Sequence, residues 1–375
     1  MLTIDETDMK KERKHIVCFH LYNDFSGSPK VLKMVLDILL KGGHRVDLIT
    51  SKGGILDTIE ESDRLRRHSY NYHFSSRQIV TMARYALIQI YTFFMSLRWM
   101  FERNVVFYIN TILPVGAALA GKMMGKRVVY HYHENARSKG RVYRILAWMM
   151  ERLADEIICV SAYQASHLRR QNKVTVIPNT LPEEYITELT RIDRSTFDHQ
   201  RVMMLTSLRE YKGIGEFVDL SKRMPEYDFA LVINDTEEEI CRYFKSHKID
   251  GDRRSNLTIY PRQRDVARFY REASIVINLT DKNRAIETFG LTMLEAMYAG
   301  LPVIVPTEGG IAELVEDGES GYKIDVQDPA RIEAKIRLML SDREKYEDMS
   351  RKSRQRAYRY DVGNMTKEIE RIFRE

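Results

Sequence analysis

Two glutamates, Glu287 and Glu295, flank the segment ETFGLTMLEAM, which lies between the strand-like segments SIVINLT and PVIVPT. A helix that follows a strand directs its first backbone N–H groups outward, where they suit ligand oxygens. We expect Thr288 to cap this helix, Gly290 to allow close approach, and the N–H groups of 289–292 to face a ligand. The two carboxylates could accept hydrogen bonds from neighbouring hydroxyls of a sugar or ribose. The alternative is a helix that carries solvated acids.

A pair of cations follows another strand-like segment, VMMLTSL. In SLREYKGIGEF, Arg209 and Lys212 precede a helix that is predicted to open at Gly213. Two cations beside a helix N-terminus form a suitable diphosphate site without a metal ion. The alternative is an exposed Arg/Lys pair.

Two histidines lie near the end of a third strand, in VVYHYHENARSKG. His133 precedes Glu134, and His131 points to the same side because side chains alternate along a strand. Either histidine could face a ligand, and the position at the strand end favours His133. The alternative for both is a packed core histidine.

The elements that must position these residues alternate along the chain. Short β-branched or aromatic segments alternate with helical periodicity through nearly all of the 375 residues. Such alternation is typical of α/β folds with parallel sheets and helices on both faces, and the length indicates two domains. The polar segment 182–201 is the predicted seam between them. Ligands of such folds bind beyond the carboxyl ends of the strands.

The composition excludes a disordered chain but few other classes of protein. Hydrophobic residues make up 44%, and Lys+Arg 59 against Asp+Glu 53 gives a net charge of +6, compatible with nucleic acid, anionic lipid or phosphorylated ligands. Cys18, Cys159 and Cys241 are expected to be reduced core residues of an intracellular protein. The polar N-terminus has no apolar signal segment, and residues 1–13 are expected to be flexible. The apolar segment 85–97 has thirteen residues, too few for a membrane span.

The segment that follows Glu295 extends the pattern to PVIVP and GGIAE, in which Gly309 and Gly310 could form a second backbone approach to a ligand. This order resembles the donor-site signature of the family-4 retaining glycosyltransferases: a Glu, seven residues, a Glu, a Pro-Val strand and a Gly-Gly-x-x-Glu turn. The resemblance is high over 274–328 and looser from residue 15 to the end. It implies the GT-B fold, an α/β fold with two Rossmann-like doubly wound domains facing across a cleft.

The resemblance also implies a role for each matching residue. His133 and Glu287 are expected to be catalytic, and Glu295 is expected to bind the ribose. The donor sugar is held by Glu287, Phe289, Gly290 and Leu291; the diphosphate by Arg209, Lys212 and Gly27; and the base by Arg262 and Gln263. The segment NDFSGSPKVL departs from the usual Gly-Gly form of the N-terminal loop, so only Gly27 and Ser28 are carried over from it.

The implied domains are an acceptor domain over 1–188, a nucleotide-sugar donor domain over 189–357, and a terminal helix over 358–375 that packs back on the first domain. The implied reaction moves a sugar with retention from a nucleotide diphosphate sugar, UDP- or GDP-linked, to a glycan or lipid-linked glycan, as in the synthesis of bacterial surface polysaccharides. No metal and no separate cofactor are expected.

A membrane partner is a further expectation. The helical segment 137–152 combines Arg137, Lys139, Arg141 and Arg144 with apolar residues, so it could rest on an anionic membrane. The alternative is a core helix with a solvated basic edge. The expected location is cytoplasmic, peripheral on the inner face of the membrane, and no nucleic-acid partner is expected.

Other functional classes remain as alternatives. A sugar-nucleotide 2-epimerase shares the architecture but is not expected to combine the two glutamates with the Arg/Lys pair. A non-catalytic sugar-nucleotide-binding protein would have lost the charged residues. A dinucleotide dehydrogenase needs G-x-G-x-x-G after its first strand, and HLYNDFSGSPK lacks it.

Overall fold

The computed structural model describes residues 13–75, 77–136, 138–191, 196–249 and 256–374. The chain divides into two compact units: Met1–Pro178 with Gly363–Glu375, and Asn179–Val362. The division lies before the predicted boundary at residue 188, and the chain returns to unit 1 at Gly363 rather than at residue 358. The expected flexible segment lies, apart from residue 13, outside the described residues.

Unit 1 is built on a parallel sheet of seven strands in the order β3-β2-β1-β4-β5-β6-β7. Its strands are nearly continuous apolar segments because helices cover both faces of the sheet. The strands are β1 His15–His20, β2 Arg45–Ser51, β3 Leu65–Tyr70, β4 Val105–Asn110, β5 Arg127–Tyr132, β6 Glu156–Cys159 and β7 Val174–Val176. The helices are α1 Gly27–Lys41, α2 Gln78–Ser96, α3 Val115–Met123, α4 Arg141–Leu153 and α5 Ala162–Ser166.

The strand order decides on which face each helix lies. Crossovers between parallel strands are right-handed, so α1, between β1 and β2, covers one face, and α2 to α5, within the β3-to-β7 connections, cover the other. One core cluster accordingly joins Met95 and the nearby Trp99, Ala117 of α3 and Met150 of α4 to Phe107 of β4. The helices α2, α3 and α4 therefore form one layer over the sheet.

Unit 2 has a parallel sheet of six strands in the order β10-β9-β8-β11-β12-β13. The strands are β8 Arg201–Thr206, β9 Asp228–Ile233, β10 Leu257–Tyr260, β11 Ile275–Ile277, β12 Val303–Val305 and β13 Gly321–Lys323. The helices are α6 Glu183–Thr190, α7 Ile214–Arg223, α8 Glu237–Ser246, α9 Ala267–Glu272, α10 Leu291–Tyr298, α11 Gly310–Leu314, α12 Pro329–Leu340 and α13 Arg343–Ala357. The last helix of the chain is α14, Val362–Arg374.

Two expectations about local structure are wrong. The seam predicted over 182–201 contains α6, which packs against α9 and α10 and buries Leu189 completely, so its first half belongs to unit 2. Residues 192–195 lie outside the described part. Cys18 and Cys159 are buried, but Cys241 is exposed, because α8 turns the neighbouring Ile240 and Phe244 inward.

The apolar segment 85–97 is part of a longer element than its sequence indicated. It belongs to α2, which starts at Gln78, and a short 3₁₀ turn extends the helix to Trp99. An 18-residue window within these 22 residues has a mean hydropathy of 1.2. This is the one helix among the described residues that is long and apolar enough to cross a membrane, by length and composition alone. The argument that the segment is too short for a span is therefore wrong.

The terminal helix α14 belongs to unit 1 beyond Gly363. Phe373 is fully buried and meets the ring of Tyr108 edge-on, with the ring centroids 5.2 Å apart. The Arg127 guanidinium donates a hydrogen bond to the Ile372 carbonyl. These contacts join the end of the chain to β4 and β5.

We expect Phe373→Ala to lower the free energy of unfolding of unit 1 by about 3–5 kcal/mol, because it leaves a cavity beside Tyr108. Both tryptophans, Trp99 and Trp148, lie in unit 1, so their fluorescence during urea unfolding follows this unit. Lys367→Ala, on the exposed side of the same helix, is the control and should cost under about 0.5 kcal/mol. Equal effects of the two changes would show that α14 does not stabilise unit 1.

Candidate active site

In unit 2 the predicted cations and Glu287 follow two adjacent strands. Strand β8 pairs with β9 on one side and with β11 on the other, so the connections diverge between β8 and β11. Ligands of doubly wound sheets bind at this kind of switch point, beyond the carboxyl ends of the strands. Arg209 and Lys212 follow β8, and Glu287 follows β11. The fold therefore brings these three residues to one edge of the sheet.

Lys212 and Glu287 are in direct contact. The Lys212 Nζ donates a hydrogen bond to Glu287 Oε1, which also accepts one from Thr280 Oγ1 at 2.9 Å. The two ion-paired side chains are 19% and 22% exposed, so a ligand could reach them. Among the described residues, the exposed Arg209 guanidinium forms no ion pair. A bound anion would thus meet one cation that is already positioned and one that is available.

Glycines allow the loops at this edge to approach each other closely. Gly309 has a φ of +103°, and a Cβ on it would lie 2.5 Å from the Glu287 carbonyl oxygen. Gly213 has a φ of +74° and would meet the Leu279 carbonyl oxygen at 2.4 Å. The sequence predicts that Gly309 allows a ligand to approach the backbone; the structure shows that it also accommodates the loop that carries Glu287.

The segment after Glu287 also differs from expectation in its helix start. Helix α10 begins at Leu291 with Gly290 as its N-cap, not at Thr288, because Gly290 adopts a φ of +118° that interrupts the helix. A Cβ on Gly290 would lie 2.6 Å from Ile311 Cγ1, so this glycine accommodates a side chain of α11. The first N–H groups of α10 still have no intrahelical acceptor. The Phe289 side chain is buried against Tyr360, which leaves only its backbone for a ligand.

Glu295 lies deeper than the sequence indicated. It is 8% exposed and accepts a hydrogen bond from the Tyr270 hydroxyl at 2.7 Å. Burial, and then the Glu295 carboxylate, raise the pKa of Tyr185 on α6. Glu295 therefore anchors α10 to Tyr270 of α9, and its charge acts on Tyr185 of α6.

The predicted base-binding residues lie after β10. The Arg262 Nε donates to Asn234 Oδ1 at 3.0 Å, which joins the ends of β10 and β9. The Gln263 side chain donates to the Pro261 carbonyl at 2.8 Å and accepts from Arg268 at 2.6 Å. Both residues lie on the same side of the switch point as Arg209, at the outer strands of the sheet.

In unit 1 the switch point lies between β1 and β4. Gly27 is exposed at the first position of α1, directly after the N-cap Ser26, and Ser28 follows it. The buried Asn23 fixes the preceding loop, because its side chain accepts from Leu56 N at 3.0 Å and donates to Asp57 at 3.1 Å. The loop that carries Gly27 is thus held at this edge of the sheet.

His133 follows β5 and belongs to a stack of histidines. Its Nε2 lies 2.9 Å from Asn110 Oδ1, and the Asn110 amide nitrogen lies 2.9 Å from His20 Nδ1. The His131 ring lies 4.2 Å from the His133 ring and contacts the Tyr108 hydroxyl at 2.7 Å. His131 is fully buried, whereas His133 is partly exposed, so only His133 is accessible to a ligand.

Burial keeps these rings neutral. It lowers the pKa of His131 to about 3 and that of His20 to about 4. Burial, followed by the neighbouring His131 and His20, lowers the pKa of His133 well below its ordinary value. At neutral pH, His133 can therefore donate or accept a hydrogen bond but does not provide a positive charge.

The sequence interpretation missed Asn110 and Thr280, which orient His133 and Glu287. Each follows or ends a buried strand, and that is the signal that could have found them. Recognising them required the order of the strands, since Asn110 acts on residues of β1 and of the segment after β5. Among the described residues, no group of three His, Cys, Asp or Glu side chains could hold a metal ion. Arg137 lies outside the described residues.

Comparison with known structures identifies the class of this two-unit fold. The crystal structure of Anabaena Alr3699/HepE in complex with UDP and glucose superposes with a TM-score of 0.71 and 18% identity, over 96% of this chain and 99% of that one. WaaG, a glycosyltransferase involved in lipopolysaccharide biosynthesis, gives a TM-score of 0.67 and 17% identity, over 96% and 99%. These similarities define a GT-B fold.

Two sequence-family models identify the family to which the chain belongs. The family model "Glycosyltransferase Family 4" matches residues 25–185, and "Glycosyl transferases group 1" matches residues 187–356. The chain therefore belongs to the family-4 type of glycosyltransferases. N-acetyl-alpha-D-glucosaminyl L-malate synthase of Bacillus anthracis is 28% identical over 161 residues, 41% of this chain and 39% of that relative. The chain spans less than two thirds of the length of the curated relatives it matches.

We expect Gly309→Ala to destabilise unit 2 and to displace the Glu287 loop. The change adds a clash with the Glu287 carbonyl to the cost of a left-handed backbone, together about 2–4 kcal/mol. Gly318→Ala is the matched control, since Gly318 has a φ of +80° but nothing within 4 Å of a Cβ, and should cost about 1 kcal/mol. Calorimetric melting measures both, and similar losses would exclude a role for close loop packing.

The histidine stack predicts a loss of stability in acid. Below a pH of about 6.5 the histidines of the unfolded state bind protons, whereas the buried rings of the folded state do not. The free energy of unfolding therefore falls as pH decreases. Between pH 7.5 and 5.5 each ring should contribute about 1.4 kcal/mol to this fall. His131→Gln should reduce the fall by about that amount in urea unfolding followed by tryptophan fluorescence. The exposed His73→Gln should leave it unchanged, and an unchanged fall in His131→Gln would contradict a neutral stack.

Proposed function

We propose that this protein transfers a sugar from a nucleotide diphosphate sugar, UDP- or GDP-linked, to a glycan or lipid-linked glycan. The contact between Lys212 and Glu287 at the switch point of unit 2 carries the proposal. It places a cation for the diphosphate directly beside a carboxylate that can accept hydroxyl hydrogen bonds. The UDP and glucose bound to the Anabaena protein support a nucleotide-sugar donor, and the role of WaaG in lipopolysaccharide biosynthesis supports a surface-polysaccharide product.

The residues divide the task of stabilising the transition state. Arg209, Lys212 and the start of α7 stabilise the charge that grows on the leaving diphosphate, as preorganised electrostatics and without a metal ion. Glu287, freed from Lys212 when the diphosphate takes that cation, holds the hydroxyls of the transferred sugar. The N–H groups that precede and open α10, at Phe289, Gly290 and Leu291, hold further donor oxygens.

His133 acts as a neutral hydrogen-bonding group toward the reacting sugar. Because its pKa lies well below its ordinary value, it orients the sugar and is not the general acid at neutral pH. Retention follows if the leaving diphosphate itself takes the proton of the incoming hydroxyl on the same face of the sugar. Glu295 takes the ribose only where a hydroxyl can compete with Tyr270 for its carboxylate. Gly27 approaches the diphosphate, and Arg262 and Gln263 lie against the base.

The donor site is tested by calorimetry with UDP, GDP, ADP and their common sugar conjugates, in the absence of divalent metal. We expect one nucleotide family to bind at micromolar concentration and Arg209→Gln to weaken it about 10- to 100-fold, the effect of one charge-assisted hydrogen bond. Arg223→Gln, at the opposite end of α7, is the matched control and should bind as the unchanged protein does. Equal binding by both variants would remove Arg209 from the site.

Product analysis distinguishes the alternatives. Nuclear magnetic resonance of the reaction with the bound donor should show release of nucleoside diphosphate and an unchanged anomeric configuration in the product. A donor altered at C2 without release would indicate a 2-epimerase. If the donor binds but neither nucleoside diphosphate release nor alteration at C2 occurs with any of a panel of glycan and lipid-linked acceptors, the protein is a non-catalytic binding protein.

A further inference from the structure

Helix α2 directs two polar side chains, Gln89 and Tyr85, into the protein. Gln89 accepts a hydrogen bond from Gly116 N at 2.9 Å, and the Tyr85 hydroxyl donates to the Leu113 carbonyl at 2.7 Å. A Cβ on Gly116 would lie 2.1 Å from the Gln89 carbonyl oxygen, so α2 and α3 are in close contact. The inner side of α2 is thus occupied by specific bonds to α3 and the loop before it.

The outer side of α2 is apolar and exposed. Ile79 is 83% exposed, Leu87 65% and Phe94 63%. Their neighbours on this side recur three or four residues apart along the helix: Met82, Ile90 and Tyr91. A surface helix of a protein surrounded by water normally has the opposite arrangement, with apolar residues inside and polar residues outside. An arrangement of this kind indicates an apolar partner.

The exposed apolar surface continues across the neighbouring helices. Helix α3 contacts α2 and α4, and all three cover the same face of the sheet. The outward side chains that extend the surface are Leu119 and Met123 of α3 and Val142, Ile145 and Trp148 of α4. We call the outward side of α2, α3 and α4 the apolar face.

Basic residues surround the apolar face, and acids are missing from α2 and from the part of α4 that precedes Glu151. No Asp or Glu occurs in 77–101 or in 138–150. The exposed arginines of α2 and its flanking residues are Arg77, Arg84 and Arg98, and those of α4 are Arg141, Arg144 and Arg152. Arg141 and Arg144 line a shallow depression on α4 together with Ile145 and Trp148. The depression combines two cations that can bind an anionic lipid headgroup with apolar side chains that can contact the lipid's acyl chain.

The apolar face meets the candidate site of unit 1 at one edge. In a parallel sheet, a helix that follows a strand starts at the carboxyl edge, so α2 starts after β3 and α4 starts after β5 and His133. Phe74, just before α2, is exposed and contacts Tyr22, which follows β1, with ring centroids 4.7 Å apart. Aromatic residues thus connect the start of α2 to the loop that carries Gly27.

We propose that the apolar face docks unit 1 on an anionic phospholipid membrane. The arginines are attracted to the headgroups while the apolar side chains of α2, α3 and α4 enter the boundary between headgroups and acyl chains. A second copy of this chain is a poor partner, since a symmetric contact would bring the same arginines of both copies together. The bonds of α2 to α3 favour a helix that lies on the membrane over one that crosses it. The proposal does not depend on the transfer reaction.

Flotation of the full chain with vesicles tests the proposal. We expect binding to vesicles that contain phosphatidylglycerol in phosphatidylcholine, weaker binding in high salt, and little binding to phosphatidylcholine alone. The double variant Leu87→Ser/Phe94→Ser should bind at least tenfold more weakly, and Arg141→Gln/Arg144→Gln should lose the preference for anionic vesicles. Leu338→Ser, at an exposed leucine of α12 in unit 2, is the control and should bind as the unchanged protein does.

Several outcomes would overturn the proposal. Failure of the unchanged protein to bind anionic vesicles, or equal binding by the Leu87/Phe94 variant, would remove the apolar face as a membrane surface. The same conclusion would follow if the unchanged protein formed a stable dimer and the Leu87/Phe94 variant were a monomer. Retention in cell membranes after washing with alkaline carbonate would instead indicate that α2 spans the bilayer. Nucleotide binding by the same variants, measured without vesicles, shows that they are folded and tests the donor site separately.

Discussion

Close packing of three loops at the carboxyl edge of the second sheet positions Lys212 beside Glu287. The loop after β8 turns at Gly213 against Leu279, and the loop after β12 turns at Gly309 against the Glu287 backbone. Neither contact tolerates a side chain at the glycine, and both glycines adopt left-handed conformations. Backbone packing therefore places the loops that carry Lys212 and Glu287 side by side before any ligand arrives. Preorganisation of this kind is what electrostatic catalysis requires, because the charges need not reorganise as the reaction proceeds.

In unit 1 side-chain hydrogen bonds, rather than close backbone packing, connect the strand ends. Its strand ends are polar: Asn110 connects the rings of His20 and His133, and Tyr108 contacts His131. Burial makes the charged form of each histidine costly, and the hydrogen bonds satisfy part of each neutral ring. The stability of unit 1 is thus linked to the neutral state of His133 and its two histidine neighbours.

Much of this arrangement could be predicted from local sequence, and the exceptions share a cause. The parallel sheets, the start of α7 after Gly213 and the position of His133 at the end of β5 follow from periodicity and from turn residues, which act over a few positions. The roles of Gly309 and Gly290 could not be predicted, because the atoms that exclude a Cβ, on Glu287 and Ile311, lie in other loops. The burial of Glu295 against Tyr270 likewise depends on a contact between α10 and α9.

The orientation of helix α2 also could not be predicted from local sequence, and here the unexpected feature is an exposed apolar side. Its sequence is apolar around most of the helix, so periodicity does not reveal which side is buried. The side is decided by Gln89 and Tyr85, whose hydrogen bonds require the loop before α3 and its Gly116. Once these polar groups are directed inward, Leu87 and Phe94 are necessarily directed outward. An exposed apolar surface of this extent lowers solubility unless a partner covers it. The arginines around it restrict that partner to one with negative charge and an apolar interior, and an anionic bilayer has both.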